Sequence, residues 1–209
     1  MTKNRLEFLS DGVFAIVMTL LVVEITIPEL NEFSSILPEM FSYFLSFAVL
    51  ANLWTIHNFL FSIMSQNTTR ALASLNILLL SFISLIPFST SLLGQYPSYG
   101  VSVAFYSIHI LIISLLSLGV REFIYYSPHV QNPDHESANI TSLDRFYGTS
   151  RIVLNVAVSI IAVILSNFST VYSIALLLVP VILGIIPGSL AWILKNSGIQ
   201  SLIRPDLQQ

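Results

Sequence analysis

Residues 5–28 read RLEFLSDGVFAIVMTLLVVEITIP, with charge at both ends and an uncharged apolar run between Gly12 and Glu24. A bilayer core of about 30 Å needs about 20 helical residues at 1.5 Å each, and this stretch is long enough to cross it. Basic residues ahead of an apolar run also occur in signal peptides. Here Glu24 interrupts the run and no small-residue cleavage site follows, so the stretch reads as a retained first span. The rest of the chain has the same character. Of 209 residues, 55% are hydrophobic and 9% charged, against roughly 25% charged in soluble domains. With a mean hydropathy of +0.82, the polar surface is too small to cover a soluble globule.

Six segments satisfy the length requirement, at 6–28, 40–65, 71–94, 99–124, 146–167 and 170–194. The expectation is one all-α integral membrane domain over 1–209. Pro28 and Pro38 bracket the first loop, Gln66-Asn67 marks the second, and Gly94 with Pro97 the third. A long polar loop fills 127–145, with Ser142 or Asp144 able to cap the next helix, and Asn167 to Thr170 form the last hairpin. Pro87, Pro180 and Pro187 fall inside spans, where a missing N–H kinks or breaks a helix. Gly184 and Gly188 form a small pair suited to close helix approach.

Orientation follows from the basic residues. Lys3, Arg5, Arg70, Arg121, Arg145, Arg151, Lys195 and Arg204 are all eight of them, and with six spans all fall on one side. Both termini are therefore expected in the cytoplasm. The opposite side carries Glu24, Glu29, Glu32 and Glu39, which read either as ordinary loop solubilisers or as a cation-attracting mouth.

On the first helix, Ile16, Leu20, Val23 and Ile27 recur at helical spacing as one stripe, with Thr19 and Glu24 on its flanks. Asp11 lies about 140° away on the wheel, facing neighbouring helices. The second span offers Trp54, His57 and Asn58 within about one turn, a hydrogen-bonding group that glues helices or joins Asp11 in a polar network. His109 lacks acidic neighbours and reads as structural. His129 and His135, with Asp134 and Glu136, read as a solvated loop rather than a metal site. The match at Asn139 to a glycosylation pattern falls on the cytoplasmic side and reads as chance.

Several function classes drop out. The chain has no cysteine, which removes disulfides, thiolate metal sites and cysteine nucleophiles. A net charge of −3 without a basic cluster argues against nucleic acid as a partner. No phosphate loop or Ser–His–acid spacing suggests an enzyme. A cation channel, a proton-coupled or cation-coupled secondary transporter and a non-transporting scaffold remain; intramembrane Asp11 and His57 suit a transporter, though no internal repeat is visible.

The stretch RLEFLSDGVFAI (5–16) resembles the first-helix signature of the bacterial branch of the transmembrane protein 175 family, whose pattern is Arg, three residues, then Phe-Ser-Asp-Gly. WTIH (54–57) and NILLLSFISLIPFST (76–90) are similar to that family's second and third spans. Leu9 stands where the family carries phenylalanine, a departure expected to alter packing more than conduction.

The resemblance implies a potassium channel of the bacterial inner membrane. It implies a homotetramer whose four first helices line a central pore, in lipid, with monovalent cations passing and no cofactor. No TVGYG-type filter segment occurs in the sequence, in keeping with that family. Carried over residue by residue, the resemblance places the constriction at Ile16, further rings at Leu20 and Val23, and a hydroxyl at Thr19. Arg5, Ser10, Asp11 and His57 then form the network that fixes the pore helix.

Overall fold

The computed structural model describes residues 2–26, 36–64, 68–127, 130 and 142–185, without the side chains of 142–145, 147 and 185. These residues form seven helices: α1 (Lys3–Val23), α2 (Ile36–Ser62), α3 (Arg70–Ile83), α4 (Ile86–Gln95), α5 (Gly100–Tyr126), α6 (Ser142–Leu165) and α7 (Thr170–Ile185). Five stretches are long and apolar enough to cross a membrane, with α3 and α4 together making one of them. The described part of α7 is a shorter apolar helix, and the expected remainder of the sixth span, with Pro187 and Gly188, lies outside the described residues.

Several boundaries differ from the sequence expectation for local reasons. α1 ends at Val23, with Glu24 as its C-cap, rather than running to Pro28. Pro38 is not a loop residue; it stands in the first turn of α2, where a missing N–H has no helical partner to lose. α6 begins at Ser142 and takes in the end of the segment assigned to the fourth loop. Apart from Ser127 and Val130, the remainder of that loop, including His129, Asp134, His135, Glu136 and Asn139, lies outside the described residues.

The third span is broken. Ser84 and Leu85 separate α3 from α4, and Pro87 sits in the first turn of the second piece. His109 of α5 spans this break: Nε2 is 2.9 Å from the Phe82 carbonyl and Nδ1 is 2.9 Å from Ser89 Oγ. A carbonyl only accepts, so Nε2 carries the proton and Nδ1 faces the serine. The helix α7, by contrast, runs through Pro180.

Polar side chains are accommodated mostly by their own helices. Ser10, Thr55, Ser107, Ser114 and Ser117 each donate to the carbonyl four residues back, at 2.7 to 2.9 Å. That back-bonding removes the cost of a bare hydroxyl in lipid. One interhelical cluster joins α2, α4 and α5, where Thr90 donates to Ser46 Oγ at 2.7 Å and Ser46 lies 3.0 Å from the fully buried Tyr106 hydroxyl. Around these groups, α1 packs on α2, α3 and α4, while α6 and α7 close the other side through α5 and α2.

Candidate functional site

α1 divides into two faces. Leu6, Ser10, Phe14, Val17 and Leu21 follow helical spacing and are buried against the protomer. The opposite face is not covered by the described residues: Ile16 is 60% exposed, Leu20 44% and Val23 73%. The stripe singled out in the sequence is therefore turned away from the protomer's own core, and its last member, Ile27, lies outside the described residues. Thr19 is exposed on the same face and donates its proton to the Ile16 carbonyl at 2.7 Å, which leaves its oxygen lone pairs free to accept.

The buried face of α1 carries a directional chain of hydrogen bonds. Ser10 Oγ donates to the Leu6 carbonyl at 2.8 Å, Asn76 Nδ2 donates to Ser10 Oγ at 3.1 Å, and Asn76 Oδ1 faces His57 Nε2 at 2.9 Å. With the amide oriented by Ser10, Oδ1 must accept, so His57 holds its proton on Nε2. The imidazole is stacked on Phe61 at 4.4 Å and tilted against Phe14 at 5.7 Å. One amide thus ties α1, α2 and α3 together.

A second tie lies at the edge of the uncovered face. Trp54 Nε1 donates to Asp11 Oδ1 at 2.9 Å, and both residues are exposed. Of the network proposed from sequence, the structure joins Ser10 with His57, and Asp11 with Trp54. It leaves Arg5 and Asn58 exposed and outside both ties. Asn76 was not singled out, although an amide in the middle of an apolar span is a signal in itself.

The outer acids behave differently from one another. Glu39 accepts from Thr26 N at 2.7 Å and from Thr26 Oγ1 at 2.5 Å, which pins the chain leaving α1 to the start of α2. Glu24 is half-buried and shares with Glu39, Ser42 and Thr90 the wall of a cavity of about 10 Å³, room for about one water. Glu29 and Glu32 lie outside the described residues.

Comparison with known proteins converges on one family. The family model described as "Endosomal/lysosomal potassium channel TMEM175" matches residues 5–87, which hold both ties. A protein named potassium channel from Chryseobacterium sp. (strain P1-3) is 32% identical over 162 residues, covering 76% of this chain and 83% of that protein. The mouse protein named endosomal/lysosomal proton channel TMEM175 is 21% identical over 199 residues, and the match spans 40% of its length. Among solved structures, the crystal structure of a lysosomal potassium-selective channel TMEM175 homolog from Chamaesiphon minutus superposes with a TM-score of 0.69. Its sequence identity is 28%, over 87% of this chain and 95% of that one.

Proposed function

The chain belongs to the TMEM175 family, and on that premise we propose that it is a potassium-permeable cation channel of the bacterial inner membrane, with both termini in the cytoplasm. Four copies assemble around a central axis, and the uncovered face of α1 lines the pore. The observation that carries this reading is the two-faced first helix. One side is held to α2 and α3 by hydrogen bonds, and the other presents Ile16, Leu20 and Val23, exposed among the described residues.

A lipid-facing role for that whole side fits poorly with its polar edge. Asp11, Arg5 and Asn58 are exposed there or nearby, and hydrocarbon satisfies none of them. A second copy of the chain does. In the tetramer the apolar rings form the constriction, with Ile16 the narrowest, and such a ring gates by dewetting because it holds no stable water column. The free lone pairs of Thr19 meet the ion as it leaves the ring. Glu24, Glu29 and Glu32 supply the cation-attracting mouth, while Glu39 is held by Thr26.

Proteoliposomes loaded with potassium test the channel. An outward gradient is expected to drive electrogenic flux that does not saturate at low substrate concentration, and strict stoichiometric coupling to another solute would establish a transporter instead. The proton-channel names of the vertebrate relatives motivate a second arm under a pH gradient alone. Proton flux larger than potassium flux in that arm would make this chain a proton pathway first.

A further inference from the structure

Arg151 of α6 lies three residues inside the apolar stretch Gly148–Leu165 and points between α2 and α7. Its Nη2 donates to Asn52 Oδ1 at 2.6 Å, and Asn52 Nδ2 donates to Asn155 Oδ1 at 3.4 Å. Asn52 and Asn155 are 5% and 6% exposed, so the cluster belongs to the interior. α7 approaches it through Gly184, where a Cβ would stand 2.5 Å from Asn52 Oδ1 and 2.8 Å from Arg151 Nη2.

The cluster has too few acceptors. A guanidinium brings five N–H groups and each amide two, while only the two amide oxygens accept. The surplus is visible in the structure: Arg151 Nε and Asn155 Nδ2 are buried with no hydrogen-bond partner among the described residues. Among the described residues no carboxylate pairs with Arg151, whereas Lys3 and Arg121 each have one. A charge in a membrane span without a counter-charge marks a site by default. What this one lacks is an acceptor-only group of negative charge.

Phosphate meets that description, since its oxygens match the planar fork of arginine and only accept. Depth selects the source. Arg151 is about 5 Å inside the end of the apolar stretch, within reach of the headgroup layer for a side chain that extends toward it. Basic pockets between spans at that level hold anionic headgroups. We propose that Arg151, Asn52 and Asn155 form a binding site for the phosphate of an anionic lipid, seated between α2, α6 and α7. The half-exposed edge of Arg151 is its entrance. The site does not depend on what the protein conducts.

Thermal unfolding of the purified full chain in neutral detergent tests it. Phosphatidylglycerol is expected to raise the midpoint saturably, and phosphatidylcholine, whose headgroup is neutral overall, to leave it nearly unchanged. Arg151→Gln should weaken the phosphatidylglycerol effect at least about tenfold, and Asn155→Leu, which keeps the charge but removes a donor, should weaken it less. Equal stabilisation by the two lipids, or an effect undiminished by Arg151→Gln, overturns the site. An Arg151-dependent shift of the same size with inorganic phosphate alone supports the phosphate site and overturns lipid as its occupant. Should Arg151→Gln fail to fold, Arg151→Lys keeps the charge and loses the fork. Undiminished preference for phosphatidylglycerol in that variant overturns the proposal equally.

Discussion

Asn76 shows how a single side chain decides the placement of the first helix. Its amide donates to Ser10 and accepts from His57, so it joins groups that lie far apart in the chain. Asn76→Leu removes both bonds and leaves the buried His57 Nε2–H unpaired, a loss of about 1–3 kcal/mol, while Ser10 keeps its bond to the Leu6 carbonyl. The loss is measured as a lower midpoint of unfolding in detergent, and an unchanged midpoint would make the amide dispensable. Trp54→Phe should cost less, about 1 kcal/mol, because the Asp11 carboxylate it exposes is not sealed inside the protomer. The residue types of this network were legible in the sequence: Ser10, Asp11, Trp54 and His57 stand out in apolar spans. Their pairing was not, because each bond joins different helices, and no spacing rule within one helix reports such a contact. Arg151 with Asn52 is the same case.

At the level of elements, the expected first five spans lie within about five residues of the described helix ends, while the end of the sixth lies outside the described residues. The two faces of a span are harder to read. The buried face of α1, with Leu6, Phe14, Val17 and Leu21, is as apolar as the uncovered face with Ile16, Leu20 and Val23, because lipid and protein interior favour the same side chains. Proline was informative only with its context: Pro38 is tolerated in a first turn, Pro180 is passed through, and Pro87 follows a break. At that break the Phe82 carbonyl accepts from Leu85 N at 3.1 Å, and His109 adds a second bond that ties it across to α5. His109→Leu is expected to lower stability by about 1–3 kcal/mol, because the imidazole's bonds to Phe82 and Ser89 are lost together. The readout is again the unfolding midpoint. A variant as stable as the parent would mean that α3 and α4 hold their angle through packing alone.

For the whole molecule, α1 has the smallest buried share of the five described stretches able to cross a membrane, and it carries an apolar stripe and a polar edge that no other described helix covers. The proposed tetramer would close both at once, and two substitutions on opposite faces of α1 separate that reading from its rivals. If Ile16 forms the proposed constriction, Ile16→Asn places an amide in that ring, where it can hold water that isoleucine excludes. A barrier lower by about 1.4 kcal/mol corresponds to roughly tenfold faster permeation, so potassium flux should rise by about that factor and discrimination against sodium should fall. Val17→Asn makes the same chemical change one residue along, on the buried face, where Val17 is 2% exposed. There the amide finds no water, and the expected effect is lost stability and less assembled protein, with unaltered ion discrimination in the channels that form. The pair therefore has a sign as well as a size. If both variants lost stability and neither changed flux, Ile16 would face a helix of a neighbouring copy rather than the ion path. If both left flux and stability untouched, α1 would be a lipid-facing span and the pore would have to be built from another helix.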